Sequence, residues 1–137
     1  MARTFDFEEL KKLAFEARDL SYSPYSKFRV GACLVDDQGT FFQGANVENA
    51  AYAGLCAERT ALVKAITSAP GYARKFKAIA ITADISDPIA PCGSCRQFLR
   101  EFSTDLVFYM FRADGSYVEK TLGDLLPMSF GPESLES

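Results

Sequence analysis

The sequence contains no histidine and no tryptophan. Without an imidazole there is no Ser-His or Cys-His nucleophile pair and no ring nitrogen to ligate a metal, so chemistry has to run on thiols, carboxylates and a metal they hold. Long apolar runs are missing as well. None approaches the roughly eighteen residues of a membrane-spanning helix, so no membrane partner is expected. The opening residues, Met1-Ala-Arg-Thr-Phe-Asp-Phe-Glu-Glu followed by Lys11 and Lys12, are charged and offer no apolar signal core. Positive charge is in short supply: 15 Lys and Arg stand against 18 Asp and Glu, for a net charge of −3 and a pI near 5.0. That sign opposes a life on phosphate backbones, so nucleic acid is not an expected partner. Four cysteines (Cys33, Cys56, Cys92, Cys95) would allow three disulfide pairings, but disulfide-dense folds belong to smaller secreted chains with export signals, so the expectation is a reducing, cytoplasmic home where thiols stay free or bind metal.

What is present is an ordinary globular composition. With 137 residues, 48% of them apolar, and a mean hydropathy of −0.03, the chain reads as a single domain over 1–137 with room for a core and a small-molecule pocket. Phe7, Leu10, Leu13, Ala14 and Ala17 recur at helical spacing and predict an amphipathic helix from about Asp6 to Leu20, ended before Pro24. Phe28 to Val35 predicts a strand, Asp36-Asp-Gln-Gly-Thr a hairpin turn, and Phe41 onward its antiparallel partner. Cys56 to about Ser68 predicts a helix apolar on most faces and therefore buried. Lys75 to Thr82 reads as an interior strand, Cys92 opens another helix, and Leu106–Phe111 and Tyr117–Leu122 complete the strands around an Ala113-Asp-Gly-Ser turn. The order αββαβαββ calls for an α/β fold, a three-layer α/β/α sandwich with a mixed five-stranded sheet, hairpin first and crossovers later. Arg74-Lys-Phe-Lys77 is the one basic cluster and reads as a solvated strand start.

Cys56 opens one helix, and Cys92 and Cys95 open another as Pro91-Cys-Gly-Ser-Cys, with the i and i+3 positions on one face. Cys92 follows Cys56 by 36 positions, enough for a helix, a strand and a return, so a crossover can bring both helix starts together. Three converging thiolates select zinc, and three protein ligands are the pattern of a catalytic site. Glu58, two residues after Cys56, is placed to move protons without ligating. The helix N-termini, with Arg59 or Arg96 donating to the sulfurs, would offset the negative charge of three thiolates.

Cys56-Ala-Glu-Arg-Thr-Ala together with Pro91-Cys-Gly-Ser-Cys-Arg resembles the small zinc-dependent cytidine deaminases of pyrimidine salvage, the homotetrameric class with an all-cysteine metal site. The similarity runs from Ser23-Pro-Tyr-Ser-Lys-Phe-Arg-Val-Gly-Ala to Leu126-Pro-Met-Ser-Phe-Gly-Pro-Glu. It implies hydrolytic deamination of cytidine and 2′-deoxycytidine by a zinc-activated water, with zinc on Cys56, Cys92 and Cys95 and Glu58 as proton shuttle. It implies further that Arg59 tempers thiolate charge, that Asn46 and Glu48 bind the ribose, that Phe28 walls the pyrimidine and that the Ala57 amide meets the ring carbonyl. Phe130 matches a tail aromatic that enters a neighbouring subunit's pocket.

Other readings stand beside this one. Cys92-Gly-Ser-Cys95 has the form of a thioredoxin-like redox pair, although that leaves Cys56-Ala-Glu unused. A structural four-cysteine zinc site would recruit Cys33, which otherwise reads as a buried free thiol. A deaminase acting on polynucleotides would share the zinc chemistry but needs a basic channel with stacking aromatics.

Overall fold

A computed structural model of the chain describes residues 4–51, 54–68 and 75–136. Helix α1 (Phe7–Arg18) starts at Asp6, whose carboxylate accepts a hydrogen bond from the Glu9 amide at 3.1 Å. Glu8 and Glu9 in its first turn and Arg18 in its last complement the helix dipole, and Leu10, Ala14 and Ala17 form the buried stripe. Strands β1 (Val30–Asp36) and β2 (Phe41–Ala45) pair antiparallel. Their turn is fixed by Asp36 Oδ1, which accepts from the amides of Gln38 and Thr40, and by Gly39 at φ 86°, a left-handed position that favours glycine. Helix α2 (Ala57–Ile66), strand β3 (Phe76–Ala83), helix α3 (Gly93–Arg100), strands β4 (Val107–Phe111) and β5 (Tyr117–Thr121), the short α4 (Leu122–Leu125) and a 3₁₀ turn at Pro132–Leu135 follow.

The strands lie in the order β2-β1-β3-β4-β5, and β3–β4 is the one parallel pair. Alternation along each strand divides the sheet into two faces. Ala32, Leu34, Ile79, Ile81, Phe108 and Met110 face α2 and α3, whereas Cys33, Val35, Ala78, Ala80, Tyr109 and Phe111 face α1. This is the expected three-layer α/β/α sandwich with a mixed five-stranded sheet. Full burial of a side chain such as Leu62 or Leu10 contributes about 1.5–3 kcal/mol. Two glycines set the spacing between layers. A Cβ at Gly31 would lie 2.3 Å from the Ala14 carbonyl oxygen, and one at Gly44 would lie 2.4 Å from the Ala57 oxygen and the Ala61 nitrogen, so α1 and α2 can approach the sheet only because both are bare.

Several boundaries differ from the sequence expectations. β1 begins at Val30, so Phe28 and Arg29 precede the strand. Because the hairpin returns the chain, β1 and β3 run antiparallel, so β2 and β3 point the same way; β2–α2–β3 passes over β1 and β3–α3–β4 joins neighbours, and these are the expected later crossovers. Helix α2 is not buried on most faces: Ala57, Glu58, Ala61, Leu62 and Ala65 are covered, but Val63 is 40% exposed because it points away from the sheet. The short α4 was not expected. It is started by a capping box in which Thr121 Oγ1 accepts from the Asp124 amide and Asp124 accepts from the Thr121 amide. Within the basic cluster, Lys75 is exposed and Arg74 lies outside the described residues.

Candidate metal and catalytic centre

Both α2 and α3 begin at a cysteine. Cys56 (φ −75°, ψ 157°) and Cys92 (φ −70°, ψ 169°) hold the extended N-cap conformation, and neither sulfur caps its own helix. The position that Ser or Asp usually fills is therefore given to a thiol aimed elsewhere. Their carbonyls accept the first helical bonds, from the amides of Thr60 and Arg96 at 3.0 Å each. Cys95 lies one turn into α3 and is fully buried.

The Sγ atoms of Cys56, Cys92 and Cys95 all lie within 4.8 Å of one another, and Cys56 and Cys92 are 3.8 Å apart. Tetrahedral ligation with zinc–sulfur bonds of about 2.3 Å sets sulfurs about 3.8 Å apart, whereas a disulfide needs about 2.05 Å. All four cysteines are free. The donor set thus fits zinc. Because Cys56 is part of the cluster, the arrangement is a three-thiol group rather than a Cys92–Cys95 redox pair. Cys33 faces α1 across the sheet, which removes the four-cysteine reading, and burial pushes its thiol up to about 12.

Charge around the sulfurs is organised. The Cys95 thiol donates to Cys56 and is the main reason the Cys56 thiol drops to about 5; burial opposes this, and Arg59 reinforces it. Cys95, as the donor, is pushed strongly up. Arg59 Nη2 donates to Cys56 Sγ at 3.4 Å, and its own pKa is raised by that contact. Of the two arginines expected at the sulfurs, only Arg59 reaches one. Arg96 donates instead to the carbonyls of Pro91 (2.9 Å) and Leu125 (3.1 Å). Glu58 is 4% exposed, and burial raises its carboxyl to about 7; a backbone hydrogen bond pulls it down and the Cys56 thiolate pushes it up. A carboxyl near neutrality can both give and take a proton.

The residues implied by the resemblance fall into two groups. Ala57, the first residue of α2, is buried, at a position where helix amides lack an intrahelical acceptor. Phe28 is 36% exposed, and its carbonyl accepts from Asn46 Nδ2 at 2.8 Å. Asn46 Oδ1 accepts from the Val30 amide at 2.9 Å and from the Ser21 hydroxyl, which leaves one Nδ2 hydrogen to give. Glu48 accepts from the amides of Tyr25 (2.9 Å) and Ser26 (3.1 Å) and from the Ser26 hydroxyl, and the hydroxyl chiefly holds its carboxyl below the usual range. Glu48 lines a cavity of about 430 Å³ with Tyr25, Ser26, Asn49, Ala50 and Gly54. Phe130 stands apart. It lines a cavity of about 890 Å³ with Arg59, Ser94, Gln97 and Phe98, which shares no residue with the first. Ser21 and Ser26 were missed in the sequence, although hydroxyls crowd Ser21-Tyr-Ser-Pro-Tyr-Ser.

Comparison with known proteins agrees with this geometry. Residues 6–111 match the model of the cytidine and deoxycytidylate deaminase zinc-binding region. The chain is 43% identical over 132 residues to a cytidine deaminase of Sporosarcina psychrophila, covering 95% of each. Among solved structures it is similar to the cytidine deaminase of Burkholderia pseudomallei (TM-score 0.86, 43% identity, 91% of this chain and 99% of that one). It is also similar to that of Mycobacterium tuberculosis (TM-score 0.77, 35% identity, 92% and 98%). With the family's zinc-binding region spanning Cys56, Glu58, Cys92 and Cys95, the chain belongs to the cytidine and deoxycytidylate deaminase family.

Proposed function

We propose that this chain hydrolyses the exocyclic amine of cytidine and 2′-deoxycytidine, giving uridine or 2′-deoxyuridine and ammonia, as an enzyme of pyrimidine salvage. The observation that carries the reading is the three-sulfur cluster with buried Glu58 two residues from Cys56. Zinc on Cys56, Cys92 and Cys95 supplies Lewis acidity that makes water nucleophilic near neutral pH. Glu58 accepts the proton released as the water oxygen bonds to C4 and passes it to ring N3. It then takes the remaining proton from the C4 hydroxyl and delivers it to the amine as the C4–N bond breaks and the C4 carbonyl forms. Arg59 holds Cys56 as a thiolate and spreads its charge, and the Ala57 amide donates to the ring carbonyl. Phe28 packs against the pyrimidine, while the free Nδ2 hydrogen of Asn46 and the carboxylate of Glu48 bind the ribose. That carboxylate stays ionised and repels a phosphate, which favours the nucleoside over the nucleotide.

All five strands share one sheet, and we take residues 1–137 to act as one catalytic unit. The active form is a homotetramer in the cytoplasm. Exposed Val63, Phe98, Phe130 and Leu135 support contact between copies, and four free thiols suit a reducing compartment. No helix among the described residues is long and apolar enough to cross a membrane. Loss of cytidine followed by absorbance, with zinc measured on the same sample, tests the activity. The assay is repeated with cytosine, cytidine monophosphate and single-stranded DNA. Turnover of the nucleosides alone is expected; preference for the nucleotide or for DNA contradicts the reading. Light scattering should give about four chains per particle, and a fully active monomer would remove Phe130 from the pocket.

A further inference from the structure

The helix that carries Cys92 and Cys95 also grips the tail. Arg100, the last residue of α3, is only 7% exposed despite its charge. Its Nε donates to Ser129 Oγ at 2.7 Å, and its Nη2 lies 3.0 Å from Glu133 Oε1. Between these two contacts Gly131 lies close against the guanidinium: a Cβ there would sit 2.2 Å from Nη1 and 2.3 Å from Cζ. Gly131 is extended (φ −152°), so room rather than conformation demands glycine. One turn back on α3, Gln97 Nε2 donates to the Phe130 carbonyl at 2.9 Å. Phe130 is thus held at its own carbonyl and at both neighbours, yet its side chain remains outside the core and the residue is 58% exposed. The approach to the clasp is strained too. Met128, at φ 54°, occupies the left-handed region that bulky residues avoid unless surrounding contacts impose it.

Fixing a backbone this firmly while leaving its aromatic ring uncovered is the geometry of presentation, not of core packing. We propose that Arg100 is a positioning residue: its clasp on Ser129, Gly131 and Glu133 fixes the backbone around Phe130 and aims the ring into the nucleoside pocket of a second copy of this chain. The proposal rests on the reading of Phe130 given under Proposed function. Through α3, the clasp also makes the metal-ligand turn and the presented ring parts of one rigid unit.

Gly131→Ala drives a methyl group into the guanidinium, and Glu133→Gln removes its charge partner; neither changes a residue that touches substrate. Each should raise KM for cytidine roughly three- to tenfold while kcat stays within about twofold, the pattern of misplaced binding contacts. Zinc per chain and the melting temperature serve as folding controls. Because the chain has no tryptophan, Phe130→Trp introduces a single indole whose anisotropy reports the mobility of the tail. Adding Gly131→Ala to that variant should lower the anisotropy, and uridine should shift the indole emission. An unchanged anisotropy overturns the clasp. Lower anisotropy with unchanged KM overturns its positioning role. If Phe130→Ala itself leaves KM unchanged, the pocket role of Phe130 fails first and takes the proposal with it.

Discussion

Arg59 and Cys56, one helical turn apart on α2, are joined by a 3.4 Å contact from Nη2 to Sγ, so the cation answering the thiolate charge comes from the same helix start as the thiolate. Arg59→Gln keeps a polar side chain but removes the charge. It should lower zinc affinity or kcat about ten- to a hundredfold, as losses of groups that support metal ligands do. Chelator competition read against turnover measures both. Unchanged values in each would show that the helix N-termini alone suffice.

Glu58→Gln should keep about one zinc per chain, because the residue is not among the clustered ligands. Its amide cannot carry protons, so kcat should fall at least about a hundredfold. Metal analysis and single-turnover assays on one preparation separate the two effects. Full activity would remove the carboxyl from the proton path, and loss of zinc would make it a structural support.

Cys33→Ala should retain zinc and turnover, with a stability loss of about 1 kcal/mol from the small void left on the α1 side of the sheet. The Cys33 thiol is raised from 9.0 to about 12 in the folded protein. A raised folded value means the proton is bound more tightly in the native state. Its stabilising contribution is therefore complete below about pH 9 and is lost as pH rises towards 12. Alkaline unfolding should be shallower in Cys33→Ala than in the parent chain. An identical alkaline limb, or loss of zinc, contradicts this placement.

The parts legible in the sequence were those written locally. Leu10, Ala14 and Ala17 announce α1 by spacing, the Asp36–Thr40 turn by composition, and the metal cluster by cysteines that coincide with two helix starts. What stayed hidden depends on partners far away in the chain. Arg59 and Arg96 stand in similar positions after N-cap cysteines, and nothing local says that the carbonyls of Pro91 and Leu125 claim Arg96. Nothing local marks Arg100 for burial, and its contacts with Ser129 and Glu133 come from the returning tail. Asn46 and Glu48 were legible through the resemblance, as a ribose-binding pair. Their bonds to Ser21, Tyr25, Ser26 and Val30 depend on the loop folding back.

X-ray absorption at the zinc edge of the purified chain tests the metal centre most directly. Three sulfurs at about 2.3 Å and one light atom at about 2.0 Å are expected, the pattern of three cysteines with a position for solvent. A shell of four sulfurs, or a chain that binds no zinc while deaminating cytidine, would contradict the account.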